Sequence, residues 1–464
     1  MPKLRFANDL ATRIFHLLRD RKANVAVIFA LVMVPTIYLL GMTLDYSQVI
    51  RKRAQLNAAA DAAVIAAVTP SMLSQSSTLA TAAATNVFNA TANGLPGLAS
   101  TPSLNVNVTN SGLVRTATVS YTAASTNNFP ILLGTAAWPF NGSSSASASG
   151  APNINFYLLL DDSPSMAIAG TPAGITTMVN NTSAQGGCAF ACHETNPAGE
   201  NPALGNPHGE DNYALARNLG VTLRIDLMAQ AAANLMSTAQ TTEAANNNTY
   251  KVAIYTFDTG LNTIYAPSGL PSTNLSSAAT AAANIAMLEV YDNNWLTSSN
   301  NNSDTDTNFS SALQSLNTTM ANPGGGTSNA GDTPQEVVFL VTDGVEDKAV
   351  SSTSACSQPT VSIGSGQYRC QQPFDTTWCT TVKNRGIRIA VLYTEYLQLP
   401  TNSWYNSYIA PFDNPTPSTS LVATNLQSCA SSGLFYDVQS GGDITAALNA
   451  LFQLVVASAA HLTQ

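Results

Sequence analysis

Between Lys22 and Asp45 the chain carries no charged residue, and the intervening residues are mostly Val, Ile, Leu, Ala, Met and Phe. No other feature constrains the fold as strongly. As a helix rising about 1.5 Å per residue, this run covers about 33 Å, enough to cross a hydrocarbon layer of about 30 Å. Residues 23–44 are therefore expected to form a transmembrane helix, bent at Pro35 but not broken by it. A secretory signal peptide is the competing reading. Its apolar region would be shorter, and no small-x-small cleavage site follows promptly here. Lys3, Arg5, Arg13, Arg19, Arg21 and Lys22 precede the run, and Arg51, Lys52 and Arg53 follow it. The excess of positive charge before the span places residues 1–22 in the cytoplasm and the large remainder outside.

Composition agrees with export. Only 10% of the 464 residues are charged, against roughly 25% in ordinary soluble proteins, and Ala, Ser, Thr and Asn fill the difference. A hydrophobic fraction of 45% suffices for at least one sizeable core and excludes disorder throughout. The formal charge of −9 conceals a basic N-terminus and an acidic remainder. Beyond Arg53 no Lys/Arg cluster occurs, so nucleic acid is not an expected partner, and the negative field favours cations. All six cysteines (Cys188, Cys192, Cys356, Cys370, Cys379 and Cys429) fall in the external part, where disulfides form. Their pairing is open among about 15 arrangements.

After the span, Gln48–Val68 is Ala-rich, free of Gly and Pro, and apolar at helical intervals, so residues 45–70 read as a helical stalk ending at Thr69-Pro70. Residues 71–150 read as a small α+β region. It has a helix near Thr78–Ala90, a hairpin of Leu104–Val108 with Leu113–Tyr121, a further apolar run from Phe129 to Trp138, and a Ser/Ala/Gly segment, Gly142–Gly150, that is either a linker or an edge strand. From 151 to 464, apolar strands (Ile154–Leu160, Lys251–Phe257, Val337–Val341, Ile387–Tyr393, Leu434–Val438) alternate with helices (Arg224–Gln240, Phe309–Thr319, Thr376–Asn384, Ser420–Ala430, Ile444–Ser458). That order is expected of an α/β fold with a doubly wound, mostly parallel sheet of Rossmann type. Two long segments interrupt it, at 167–223 and 396–419. Trp404, Tyr405 and Tyr408 in the second would suit partner contacts if exposed.

Two of these strands end in oxygen-bearing residues, Asp161-Asp162-Ser163-Pro164-Ser165 and Thr342-Asp343-Gly344. One carboxylate and two hydroxyls on one turn suit a hard divalent cation, and neutral hydroxyls leave it short of negative charge, ready to accept an acidic group from outside. Taken alone, Asp-x-Ser-x-Ser is equally a helix cap. With Thr307-Asn308 opening a helix between the two strands, the three segments resemble the metal-ion-dependent adhesion site of von Willebrand factor A domains, over about residues 153–458. The resemblance implies direct binding of the ion by Ser163 and Ser165, direct or water-mediated binding by Thr307, and mostly water-mediated binding by Asp161 and Asp343. The ion it implies is magnesium, with calcium or manganese as alternatives. Thr305 is the second choice for the threonine. The neighbouring acids Asp162, Asp306, Glu346 and Asp347 are expected to be solvated, with added ligands as the alternative.

The segment Asp20–Ala30, with Asp45-Tyr46 and the run Leu56–Ala63, resembles the start of TadG-like proteins of the tight-adherence (Flp pilus) assembly system. The resemblance implies a bacterial inner-membrane, single-pass component of pilus biogenesis or adhesion, its A-like domain periplasmic or at the cell surface, with other pilin-like envelope proteins, an acidic ligand or a host or abiotic surface as partners. No prepilin cleavage sequence followed by a glutamate is seen. An envelope assembly scaffold without an adhesive role is the alternative. Cys188-Ala189-Phe190-Ala191-Cys192-His193 also approximates a haem-attachment sequence with one extra residue between the cysteines, for which a local disulfide is the plainer reading, and a His/Cys metal site with His208 is a third. No Gly-x-Ser-x-Gly turn, phosphate-cradling glycine loop or histidine pair at metal-binding spacing occurs, so an enzyme is not expected.

Overall fold

The computed structural model describes residues 21–183, 186–192, 211–288, 305–396, 398–400, 402–413, 420–439 and 442–457. Contacts divide the chain into two compact units, with the boundary between Ala148 and Ser149.

The first unit is organised by one helix of 47 residues, Arg21–Ala67, with Pro35 inside it. Its N-terminal part exposes apolar side chains all round, Phe29, Leu31, Leu39 and Leu40 among them, a surface that water does not tolerate. From Asp45 onward a single face is buried at helical spacing (Asp45, Val49, Lys52, Leu56, Ala59, Ala63, Ala67). The small side chains on this face admit helix Ser77–Ala92, which buries Ala80, Ala84, Phe88 and Ala92 at intervals of four. Ser76 caps that helix, accepting the Leu79 amide. Three strands complete the unit, β1 (Ser103–Ser111), β2 (Val114–Thr126) and β3 (Ala137–Ser149), in the order β1-β2-β3. Alternate residues of β2 (Ala117, Val119, Tyr121, Ala123) face the helices. The expected hairpin is present and longer than expected, because the turn is only Gly112-Leu113. The Ser/Ala/Gly segment is an edge strand.

In the second unit the main sheet contains β4 (Ile154–Asp161), β5 (Tyr250–Phe257), β6 (Leu261–Tyr265), β7 (Gln335–Thr342), β11 (Arg388–Thr394) and β12 (Phe435–Val438), in the order β12-β11-β7-β4-β5-β6. All neighbours run parallel except β6, which is antiparallel at the edge. The strands are near-continuous apolar runs because both faces are covered. Phe156, Leu158 and Leu160 face helices Arg224–Asn246, Leu275–Ala283 and Ile444–Ala457. Tyr157 and Leu159 face helices Phe309–Thr319, Thr377–Asn384 and Leu421–Cys429. Numbered within the sheet, the order is 3-2-1-4-5-6, so chain direction across the sheet reverses between β4 and β7. Ligands of such sheets bind in the crevice at that switch point, beyond the carboxyl ends of the strands.

Sequence periodicity missed β6 and a second, antiparallel sheet, β8 (Val345–Val350), β10 (Gln367–Pro373) and β9 (Thr360–Gly364), which starts directly after Gly344. Their residues are too polar to read as buried strands. Two disulfides occur among the described residues: Cys356–Cys370, tying the β8–β9 connection to β10, and Cys379–Cys429, joining two helices of one face. Neither is the local Cys188–Cys192 bridge.

Candidate metal centre

Strand β4 delivers Asp161 to the switch point, and β7 delivers Thr342 and Asp343 beside it. The Asp161 carboxylate shapes its own turn, one oxygen accepting the Ser163 amide at 3.1 Å and the Ser163 hydroxyl at 2.6 Å. Its other oxygen accepts the Thr342 hydroxyl at 2.6 Å, which ties the two strand ends together. The Ser163 and Ser165 hydroxyls lie 3.0 Å apart, and Ser165 also faces the Asp343 carboxyl. Asp343 accepts the Val345 amide with one oxygen, while its second is buried without a hydrogen bond. The turn after β7 requires glycine. Gly344 has φ +79°, and a Cβ there would come within 2.5 Å of Val422 and 2.6 Å of Leu426.

Thr307 is buried on the same edge. Its backbone pairs with Asp347 through two hydrogen bonds of 2.9 Å, and the next amide, Asn308, donates to the Asp258 carbonyl beyond β5 at 2.7 Å. Asn308 then caps helix Phe309–Thr319 through Ser311. Asp161, Ser163, Ser165 and Asp343 are thus joined directly, and Thr307 is held at the rim between β5 and β8. Thr305 is half-buried. Asp304, His193 and His208 lie outside the described residues.

The insertion at 167–223 is pinched at its neck. Gly170 donates to the Thr222 carbonyl at 2.9 Å and Arg224 to the Ile168 carbonyl at 3.0 Å, so helix Arg224–Asn246 starts beside the Asp-x-Ser-x-Ser turn despite the extra residues. This brings in a residue that sequence reasoning missed. The buried Arg224 guanidinium stands 3.8 Å from the free Asp343 oxygen, lies 5.8 Å over the Tyr396 ring and donates to the Glu395 carbonyl. Its signal was available, as a rare basic residue opening a helix directly after an insertion. Thr342 was legible only as part of its motif.

Two expectations are corrected. Asp162, Glu346 and Asp347 are buried and not solvated. For the latter two the reason is the unforeseen second sheet. Its Lys348 and Gln372 neutralise and bond Glu346, which also accepts from Ser310, while Arg369 and Gln371 hold Asp347. Nor does the aromatic group at 404–408 face outward freely. Tyr405 is buried, stacks on Tyr396 at 6.0 Å and donates to Asp413 at 3.0 Å, and Trp404 donates to Gln371 at 2.7 Å under the Arg369 guanidinium.

Burial, and then the facing Asp343, raise the Asp161 pKa well above the carboxylate range, and burial likewise raises Asp343. Two carboxylates that repel each other, hydroxyls alongside, and one buried oxygen without a donor form an oxygen-only set suited to a hard cation. Among the described residues no group of three or more His, Cys, Asp or Glu is placed for a metal.

Burial also pushes Asp162 up to about 7 and both Asp413 and Asp437 up to about 6. These carboxyls hold their protons more tightly folded than unfolded, so between about pH 4 and 7 the folded unit binds more protons and its stability falls as pH rises. Without divalent ions, the calorimetric melting temperature of this unit is expected to be several degrees higher at about pH 5 than at about pH 7.5. Equal melting at both would contradict the burial of these groups.

Residues 23–84 match the family model described as Putative Flp pilus-assembly TadE/G-like. The N-terminal region of this chain is similar to TadE/G-like proteins. No curated protein matches the sequence. Among solved structures, proximal thread matrix protein 1 from the mussel byssus is 11% identical at a TM-score of 0.33, covering 67% of this chain and 49% of its own. The PilB minor pilin from Streptococcus sanguinis is 12% identical at 0.31, covering 77% and 78%. A von Willebrand factor type A protein from Catenulispora acidiphila is 11% identical at 0.29, covering 77% and 49%. The chain thus spans about half the length of the first and third. Likenesses this distant carry no weight for the site, which rests on its own geometry.

Proposed function

We propose that this TadE/G-like chain is a membrane-anchored component of Flp/Tad pilus assembly. Its second unit binds one divalent cation, magnesium first, with calcium or manganese as alternatives, and through it an acidic group of a partner protein or surface. Asp161, Ser163, Ser165 and Asp343 hold the cation, with Thr307 at the rim. The observation that carries this reading is the buried pair Asp161 and Asp343 at the sheet's switch point, with an Asp343 oxygen left without a donor. The bound cation supplies an electrophilic position for an outside carboxylate. The protein residues orient the hydroxyls. On this reading the chain acts as a binding protein and not an enzyme. The apolar helix is the anchor, with the N-terminus cytoplasmic and the chain from Asp45 onward outside the inner membrane. Other pilus-system subunits are the partners.

A second reading, an envelope scaffold whose ion is structural, draws on the burial of the edge, where Ser165 is the one motif side chain partly exposed. Titrating the full chain with magnesium, manganese and calcium by calorimetry is expected to give saturable one-to-one binding. Retention on an immobilised glutamate polymer is then expected with the ion and not with chelator. No saturable binding would overturn the site, and binding without retention would favour the scaffold.

A further inference from the structure

We infer that the turn Pro130–Leu133, with Phe129 before it, is a second membrane contact that sinks into the lipid interface beside the anchor. The inference rests on reading the apolar helix as membrane-spanning. Side-chain contacts fix where the turn lies. The Tyr121 hydroxyl donates to Asn57 at 2.7 Å, Lys52 donates to Ser125 at 2.8 Å, and the Asp45 carboxylate accepts the amides of Asn128 at 2.7 Å and Phe129 at 3.1 Å. Strand β2 therefore descends the helix toward its apolar part, and the β2–β3 connection is the tip nearest the membrane.

Asp45 is the first charge after the uncharged span and marks the polar boundary. It is only 1% exposed, its oxygens consumed by the tip's own amides, so the carboxylate at this depth is already satisfied. The helical turn 130–133 touches the long helix. Gly41, one turn below Asp45 on the same face and inside the apolar run, is buried while its neighbours are exposed. The turn thus lies at or below the polar boundary.

Its chemistry suits lipid. The sequence Phe129-Pro130-Ile131-Leu132-Leu133 lies in a stretch from Thr116 to Leu160 without Asp, Glu, Lys or Arg. Ile131 is 96% exposed and Phe129 37%, an apolar tip continuous with the exposed apolar sleeve of the helix. Just above it, the rings of Tyr46 and Trp138 meet at 5.9 Å, with Tyr46 53% exposed, a pair of the kind that collects at membrane–water interfaces. The continuity of this surface with the span selects lipid as the occupant over a second protein. The consequence is orientation. An anchor with one helix swivels, whereas an anchor with a helix and a lateral wedge holds its first unit at a fixed tilt and rotation.

The test places Ile131→Trp in the full chain, reconstituted in phosphatidylcholine vesicles with or without bromine on the upper acyl chains, with the exposed Leu270→Trp of the second unit as control. After subtraction of the parent emission, the Ile131→Trp signal is expected to be blue-shifted and quenched at least twofold by brominated lipid, and the control unquenched. Emission that is red and unquenched, like the control, would overturn the inference. Blue-shifted but unquenched emission would assign the tip to a protein surface, such as a second copy, and would also overturn it. Failure of the protein to float with vesicles would defeat the anchor reading itself, an outcome separable from the other two.

Discussion

Asp161→Asn is expected to weaken divalent-cation binding about 100-fold, or about 2.7 kcal/mol, while the unit stays folded. The variant keeps the shape of the side chain and an oxygen to accept the Ser163 hydroxyl, so the turn after β4 is retained. What it removes is one of two negative charges facing a common point. In the wild type that charge is costly without an ion, since burial and the opposed Asp343 both act against ionisation. Cation binding draws its energy from relieving this repulsion. The same variant is therefore expected to melt no lower than wild type in chelator, and to gain less when magnesium is added. Calorimetric titration and paired melting scans read both quantities. Unchanged affinity would remove Asp161 from the site, and a large loss of stability in chelator would make its role architectural.

The sheet was legible because its strands are buried on both faces. Ile154–Leu160 and Val337–Val341 are uninterrupted apolar runs, and such runs ending in Asp place carboxylates at the strand ends whatever the rest of the chain does. The turn after β4 was equally legible, since Asp161 and Ser163 are near neighbours whose hydrogen bonds are local. What sequence did not disclose was long-range. Glu346 and Asp347 look like solvated acids until Arg369 and Gln372 are brought to them by β10, whose strand pattern is hidden by polar residues. Arg224 gives no periodic signal, and its approach to Asp343 depends on the neck at Gly170 and Thr222, which closes an insertion of more than fifty residues. In the first unit, the stalk helix was visible in its Ala-rich register, but the descent of β2 along it was not.

Arg224→Met is expected to raise divalent affinity at least tenfold, the opposite of what loss of a site residue does. The guanidinium and the Asp343 carboxylate are both buried and 3.8 Å apart without a hydrogen bond, a separation at which unit charges interact by about 4 kcal/mol at an effective dielectric of about 20. Arg224 thus supplies in advance part of the positive charge that an incoming ion would bring, and the two compete for one carboxylate. Methionine keeps an unbranched apolar stem like that of arginine while deleting the charge. The empty variant pays for this with an uncompensated Asp343, so in chelator it is expected to lose about 3 kcal/mol of stability, the range seen when one partner of a buried pair is removed. Saturating magnesium is expected to restore most of that loss, making the ion's stabilising effect larger in the variant than in wild type. Melting scans across a magnesium series separate the cases. A parallel shift at all concentrations would mean that Arg224 only packs, whereas converging curves at high magnesium mean that arginine and cation occupy the same electrostatic role. Lower affinity in the variant would instead make Arg224 the residue that holds Asp343 in position for the ion.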